Sequence, residues 1–224
     1  MVRGRGLRVM RQTLRMALGS GMARKRPPYD PSLLDPLMAA QAANGFLALS
    51  QQFVQSIPTD PAQTEAIADL GDIVASATCL SLSIELFLKS LLILTERPVH
   101  AIHDLLALFD ALPQSTRDAV DAEHEALIAD PGEGAVSLRL VYTQDPTLRP
   151  PEAVAEPVAR DNSTRGVLER NRDAFSSWRY LHEIARRGDY VIVDYEYFQL
   201  TAVARAISNC CHRRAFGSGS GGHP

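Results

Sequence analysis

The stretch from Cys79 to Leu112 constrains the fold of this 224-residue chain more than any other segment. Its first part reads CLSLSIELFLKSLLIL, and apolar residues at helical spacing cover most sides of the predicted helix. A helix that is apolar almost all round belongs at the centre of a fold. Pro98 ends this helix, because proline lacks an amide hydrogen and disfavours helical geometry at the residue before it.

A narrow polar seam interrupts this apolar helix. The seam consists of Thr78, Ser81, Glu85, Lys89 and Glu96, whose spacing keeps them on one side of the helix. Glu85 precedes Lys89 by one helical turn, which is the favourable order for an ion pair. Two interpretations stay open: the seam is a solvated face with an ordinary surface pair, or it is the floor of a groove.

Length and composition favour one folded domain. Hydrophobic residues make up 46% of the chain, which is enough to bury a core. We predict a basic, disordered arm at residues 1–29, a single helical-bundle domain at 30–214 and a flexible tail at 215–224. The most apolar window carries Glu85 and Lys89 near its middle, so we expect a buried helix and no membrane span.

The charge of the chain is unevenly distributed. Residues 1–26 hold eight of the 23 Lys and Arg residues and none of the 26 Asp and Glu residues. This segment fits a transit peptide, a basic arm or an upstream start-site artefact. The remaining 15 basic and 26 acidic residues give residues 27–224 a formal charge of −11. An acidic body argues against a broad nucleic-acid surface, so any basic site must be local.

Cysteine and histidine spacing predicts neither a metal site nor a cofactor. The three cysteines have no CxxC spacing: Cys79, Cys210 and Cys211. We expect reduced thiols in a cytoplasmic protein. His100 and His103 have a spacing that could bind a metal on a helix, but Pro98 places His100 in a connection. We expect Asp104 to interact favourably with the N-terminus of the following helix.

Helix signals recur along residues 30–214. An acidic residue followed by proline marks helix starts at Asp35 and Asp60. Periodicity predicts helices over about 36–55, 61–95, 102–112, 113–130, 165–187 and, after a cap at Asp194, to about 214. In the first helix we predict four buried apolar residues: Leu37, Phe46, Leu47 and Phe53. Helices joined by short connections are typical of an up-and-down bundle.

Residues 130–165 interrupt the helical pattern. They hold five prolines and no helical period. Within them, residues 136–143 alternate with a period of two that is typical of a strand. This strand could pair with Tyr190–Val193 as a small β-ribbon. We interpret the segment as a long, Pro-rich insertion or loop in an all-α fold.

Three segments together resemble a subset of HEPN-domain proteins: IELFLKSLL, HAIHDLLALFDALP and FSSWRYLHE. The HEPN superfamily consists of compact α-helical bundles, commonly dimeric, of prokaryotic toxin-antitoxin and phage-defence systems. The resemblance covers about residues 36–214. It implies an HEPN-like bundle, a homodimer, RNA or a nucleotide as ligand, and a cognate antitoxin or defence protein as a further partner.

The resemblance also implies catalytic residues. Catalytic HEPN proteins carry an Arg followed after four to six residues by a His on a late helix, and Arg205 and His212 have this spacing. In a metal-independent endoribonuclease, the Arg would stabilise phosphate charge and the His would move a proton from the ribose hydroxyl. Arg205 is followed by Ala206, where the family usually has a polar residue. Two further pairs have fitting spacing: Arg97 with His103, and Arg117 with His124.

A second set of candidate residues joins the central helix to the later charged helix: Glu85, Lys89, His103, Asp104, Arg179, His182 and Glu183. They either bind a ligand or form a buried polar network that fixes helix register, in which Arg179 and Glu183 can pair one turn apart. Two functions therefore stay open. One is an HEPN-like protein that engages RNA or a nucleotide, with or without ribonuclease activity, and the other is a non-catalytic helical interaction or dimerisation module.

Overall fold

The computed structural model describes residues 34–55, 68–129, 138–142, 160–180 and 191–217. The helices in these ranges are α1 Pro36–Gln55, α2 Ala68–Leu94, α3 Leu105–Asp110, α4 Gln114–Ala129, α5 Thr164–Arg170, α6 Ala174–Arg179 and α7 Tyr197–Phe216. Two strands, β1 Leu138–Tyr142 and β2 Val191–Tyr195, form an antiparallel ribbon. The predominantly helical structure confirms the all-α prediction.

Several predicted segments lie outside the described residues. They are the basic arm at 1–29, the start of the second helix at 61–67, most of the insertion at 130–165 and the tail from 218. The predictions for these segments stay predictions.

Helix α2 lies at the centre of the bundle, as its apolar surface predicts. Helices α1, α3, α6 and α7 all contact it. Six of its large side chains are fully buried: Leu80, Ile84, Phe87, Leu88, Leu91 and Leu92. Among the described residues, one helical stretch, Gly71–Leu94 in α2, could cross a membrane by length and composition alone. A core helix meets the same criteria, and 61% of the most apolar window of this stretch is buried in the bundle.

Three serines join α2 to α1 along the length of both helices. Ser76, Ser83 and Ser90 donate Oγ hydrogen bonds of 2.9, 2.8 and 2.9 Å to backbone carbonyls of α1. The acceptors follow the same seven-residue spacing in reverse order: Ser50, Ala43 and Pro36. The two helices therefore run antiparallel, and one face of α1 is fixed against α2. We call these three contacts the serine ladder.

The opposite face of α1 is exposed. Leu37, which we predicted to be buried, is 42% exposed, because the serine ladder turns the opposite face of α1 inward. Leu47 lies on that inward face and is buried, as predicted. Phe46 and Phe53 are half-buried. Helix α1 contains no charged residue, so no charged position in its sequence indicates which face is exposed to solvent.

Helix α2 ends in a Schellman motif. The Arg97 amide donates to the Leu92 carbonyl at 2.8 Å, and the Glu96 amide donates to the Ile93 carbonyl at 3.0 Å. Glu96 adopts a φ of 54°, in the left-handed region that favours glycine. Pro98 follows at once, so the helix stops where the sequence predicts.

Asp104 begins α3 as its N-cap. Its carboxylate accepts a hydrogen bond from the Ala107 amide at 3.0 Å, and α3 is therefore shorter than the predicted helix over 102–112. Helices α1 and α4 match their predicted bounds to within one residue.

The predicted helix over 165–187 is broken by a turn at 171–173. Asn171 accounts for the break, since its side-chain amide donates to the Val167 carbonyl at 2.9 Å and to Glu196 Oε2 at 3.1 Å. Asparagine competes with the helical backbone in this way. The side chain that ends α5 is thus held by a residue far along the chain.

Helix α7 follows directly from the ribbon. Leu138 of β1 lies opposite Tyr195 of β2. Asp194, which we predicted to cap the last helix, lies within β2, and Glu196 is the residue that precedes α7. The predicted inward face of α7 is buried, which confirms its periodicity: Val203, Ala204, Ile207 and Cys211.

Candidate ligand-binding site

Glu85 is a buried carboxylate in the middle of the polar seam. The residue is 2% exposed. One oxygen accepts a hydrogen bond from Lys89 Nζ at 2.6 Å, and the other pairs with His103 Nδ1 at 2.8 Å. Burying a carboxylate is costly unless it is paired and hydrogen-bonded. The interpretation of the seam as an ordinary solvated face is therefore wrong.

The bond to Glu85 orients the His103 ring. Because a carboxylate can only accept, the bonded Nδ1 carries the proton, and Nε2 of the neutral imidazole is an acceptor. The His103 side chain is 54% exposed and that of Lys89 is 19% exposed. A buried anion thus holds an ammonium group and an imidazole at the edge of α2.

Phe175 links His103 to Arg179. The rings of His103 and Phe175 lie 5.1 Å apart, and Arg179 Cζ lies 5.0 Å from the Phe175 ring centre. The guanidinium also lies 4.5 Å from the Tyr180 ring and donates to its hydroxyl. These are cation–π contacts. Arg179 is exposed, and among the described residues no carboxylate forms an ion pair with it.

The turn between α5 and α6 brings these groups together. The Leu105 amide donates to the Arg172 carbonyl at 2.9 Å, and Arg172 Nε donates to Asp104 Oδ2 at 3.2 Å. The start of α3 is therefore tied to the turn before α6, and α6 packs against α2. We refer to the resulting group as the Glu85 cluster: Glu85, Lys89, His103, Phe175 and Arg179.

Four predicted site residues meet in this cluster, and the remaining ones have other positions. Asp104 lies beside it as the cap of α3 and the partner of Arg172. His182 and Glu183 lie outside the described residues, so the pair of Arg179 with Glu183 stays a prediction. Phe175 was not among the predicted site residues, and its position between the His103 ring and the Arg179 guanidinium was not apparent from periodicity.

Arg205 and His212 lie on the exposed side of α7. Seven residues of helix separate their Cα atoms by about 10 Å. The His212 ring packs on Phe216, with ring centres 4.9 Å apart. Among the described residues, no hydrogen-bond partner orients either side chain. Catalytic side chains are usually held by such supporting contacts.

Glu196 forms a second buried ionic network. It is 5% exposed and accepts hydrogen bonds from Arg160 Nη1 at 2.6 Å, Arg170 Nε at 3.1 Å and Asn171 Nδ2 at 3.1 Å. Burial raises the pKa of Glu196, but the bonds from Arg160 and Arg170 outweigh it and lower the pKa below its ordinary value. With so many donors, Glu196 is a structural tie between α5 and α7.

His124 is a buried neutral link between α4 and α5. It is fully buried, and its Nδ1 lies 3.1 Å from Thr164 Oγ1. Its Nε2 has no hydrogen-bond partner in the described part of the chain. Burial lowers the pKa of His124, against the opposite effect of Asp121 and Glu125.

The cysteines are free thiols. Burial raises the pKa of each of them, and that of Cys211 to about 12. A thiol in such surroundings is a poor nucleophile. Within the described ranges, no three His, Cys, Asp or Glu side chains converge as ligands of one metal ion.

Comparison with known proteins finds no match to a protein-family model, a curated protein or a solved structure. The site is therefore interpreted from its own chemistry. The Glu85 cluster combines two cationic side chains, an imidazole and an aromatic ring. Phosphates pair with Lys and Arg, and nucleobases stack on aromatic rings and guanidinium planes. The cluster suits an anionic ligand that carries a base.

Proposed function

We propose that this protein is HEPN-like and engages RNA or a nucleotide at the Glu85 cluster. One observation carries the proposal: Lys89 and His103 both pair with the buried carboxylate of Glu85, and His103 and Arg179 both contact the ring of Phe175. The three segments that resemble HEPN domains support the class of protein. In this proposal the protein acts in the cytoplasm, in a defence or toxin-antitoxin setting with a cognate partner.

The charge balance supports a small site. Residues 27–224 have a formal charge of −11, whereas Lys89 and Arg179 outnumber the one acid of the cluster. The body repels a phosphate backbone and the cluster attracts it, so we expect contact with about two phosphates rather than with a long strand. The logarithm of the binding constant for single-stranded RNA should then fall with the logarithm of salt concentration with a slope of about −1.4.

The burial of Glu85 also supports a binding role. A buried ion pair contributes little net stability compared with apolar residues of similar volume. The neighbours of Glu85 on α2 are leucine and isoleucine, so an apolar residue would pack in its place. We infer that Glu85 is retained because it holds Lys89 and His103 in position for a ligand.

The alternative is an interaction module without chemistry. It is favoured by Arg205 and His212, which are exposed on α7 and have no hydrogen-bond partner among the described residues. In the ribonuclease version of the proposal, these two residues supply the phosphate-stabilising and proton-transferring groups.

A binding and cleavage assay tests these proposals. We would titrate fluorescently labelled single-stranded RNA and a labelled mononucleotide with the protein at low salt. We expect Arg179→Ala to weaken binding by about tenfold. Arg165→Ala is the matched control, because Arg165 is an exposed arginine already paired with Asp110. The affinity of the Arg165→Ala variant for RNA and the nucleotide should stay within about twofold of the wild-type value.

Two outcomes of this assay would contradict the proposals. If neither RNA nor the nucleotide binds to the wild type, or if both variants weaken binding equally, the Glu85 cluster is not the site. RNA cleavage that disappears in Arg205→Ala and His212→Ala would support the ribonuclease version. Binding without cleavage would support the protein as a binder only.

A further inference from the structure

We propose that the outward face of α1 binds a second copy of this chain. In this contact two α1 helices cross antiparallel, with the two-fold axis between Gly45 and Phe46. The inference rests on α1 alone and is independent of the proposed ligand site.

The outward face of α1 carries no charge, and its exposed apolar side chains lie among the exposed amides of Gln41, Asn44 and Gln52. Three of its large side chains are exposed, with Leu37 at 42%, Met38 at 62% and Leu49 at 42%. No charged residue occurs among the 20 residues of this helix. Helix α4, which also lies at the outside of the bundle, carries four acids: Asp118, Asp121, Glu123 and Glu125. Of these two peripheral helices, only α1 lacks charged residues.

The exposed apolar side chains of α1 do not belong to the face that packs in the core. The serine ladder fixes the inward face of α1 at three points along its length. Ala43, Leu47 and Ser50 on that face are buried. Helix α1 has therefore already buried one face against α2, and the outward face is a second, uncharged surface with exposed apolar side chains.

Gly45 lies in the middle of this outward face. A Cβ atom added at Gly45 would meet nothing within 4 Å, so packing inside the chain does not require a glycine there. Glycine weakens the interior of a helix. Its absence of a side chain opens a shallow groove of about 340 Å³, lined by Ala42, Gly45, Phe46 and Leu49. A close approach by another helix accounts for both the glycine and the groove.

The groove is complementary to itself. About an axis between residues 45 and 46, Leu49 of one copy faces Ala42 of the other, and Phe46 faces Gly45. Within the groove, each of these two large side chains meets a small one, and the two-fold axis of an isologous interface repeats both contacts. No other occupant is needed to explain this order of large and small residues.

Charge also favours a second copy. Two molecules whose residues 27–224 each carry a formal charge of −11 repel one another over most of their surfaces. The uncharged face of α1 lacks this repulsion. A helix of this length spans about 30 Å, so the interface falls at the small end of specific interfaces, below about 1,200 Å². We expect a dimer that dissociates on dilution in the micromolar range.

Two glycine variants give a matched test. Gly45 and Gly71 are both helical and open, with nothing within 4 Å of an added Cβ atom. Gly45→Glu and Gly71→Glu therefore introduce the same charge without a clash, and both replace glycine with a better helix former. We would measure mass by sedimentation velocity from about 1 to 200 µM, a range chosen to span the expected weak dimer.

We expect dimers for the wild type and Gly71→Glu and a monomer for Gly45→Glu at every concentration. Gly45→Cys should form a disulfide-linked dimer across the axis under mild oxidation, whereas Gly71→Cys should not. A wild type that stays monomeric throughout would overturn the proposal. A Gly45→Glu variant that dimerises as well as Gly71→Glu would also overturn it, because the interface would then lie elsewhere.

Discussion

Helices α1 and α2 distribute polarity in opposite ways. The central helix α2 buries Glu85 at 2% exposure, although it is surrounded by apolar side chains. The peripheral helix α1 has no charge and leaves Met38 62% exposed. Folding alone favours the reverse arrangement, with charges outside and apolar side chains inside.

The two exceptions have different consequences. The buried carboxylate is satisfied within the chain by Lys89 and His103. Met38 and Leu49 remain exposed on α1. Positions where a chain departs from the usual pattern tend to be functional. We interpret the first as a prepared ligand site and the second as a surface prepared for a second copy.

The largest expected effect is that of Glu85→Ala. Removing the shared acceptor leaves Lys89, whose side chain is 19% exposed, without its partner. We expect a loss of about 3 kcal/mol in the free energy of unfolding, measured with urea at pH 7. Glu123→Ala is the control, because its pair with Arg213 lies at the surface, and we expect a change within about 1 kcal/mol. Equal losses in the free energy of unfolding of the two variants would contradict the prediction that the buried carboxylate contributes more to stability than the exposed one.

The second prediction concerns the serine ladder. Ser83 is fully buried and donates to the Ala43 carbonyl at 2.8 Å, so Ser83→Leu should force α1 away from α2. We expect a loss of about 2 kcal/mol from overpacking, again by urea unfolding. Ser115→Leu, at an exposed position of α4, should change stability by less than about 0.5 kcal/mol. A tolerated Ser83→Leu would show that α1 is not held closely, and the assignment of its outward face would fail.

The third prediction uses pH to compare a buried histidine, His124, with an exposed one, His100. Because burial lowers the pKa of His124, the unfolded chain binds the proton more readily than the folded chain. The stability that neutral His124 contributes is therefore fully present above its unfolded pKa of about 6.5 and is lost as the pH falls below that value.

Urea unfolding at pH 7 and pH 5 measures this effect. We expect His124→Gln to lose part of the decline in stability that the wild type shows over this interval. The exposed His100 provides the control, and His100→Gln should retain the full decline. An unchanged decline in His124→Gln would mean that this histidine takes up its proton in the folded chain as readily as in the unfolded one.

The smallest expected effect is a gain. Glu96 has a φ of 54°, and Glu96→Gly should raise the free energy of unfolding by about 0.5 kcal/mol, because glycine adopts this conformation without steric cost. A melting temperature higher by about 1–2 °C would follow for a domain of this size. Glu125→Gly, in the interior of α4, should instead lower stability by about 1 kcal/mol. Stabilisation by both substitutions, or by neither, would contradict the end assigned to α2.

Much of the helical structure was predictable, because its signals are local. The acidic residue and proline at Asp35-Pro36 gave the start of α1, and the apolar surface of α2 gave its central position. The break at 171–173 was not predictable, because Asn171 is held by Glu196, which lies 25 residues further along. Asp194 was a plausible N-cap by residue type, but it lies in strand β2 of the ribbon.

The candidate site was likewise predictable only in its local part. The pair of Glu85 with Lys89 was visible from its spacing on one helix. The approach of Phe175 to His103 depends on how the turn before α6 is tied to α3, and sequence spacing carries no record of that contact. The serine ladder had a visible signal, a repeat of seven residues, but its meaning required the position of α1.

The central claim is that the charged pair of α2 is retained for a ligand rather than for folding. The most direct test is the RNA and nucleotide affinity of the double variant Glu85→Leu with Lys89→Leu, after its fold has been verified by urea unfolding. Apolar replacement of a whole buried pair is often neutral or stabilising, so the variant should fold at least about as stably as the wild type. The account predicts a loss of about tenfold or more in affinity. Wild-type affinity in the folded variant would contradict it.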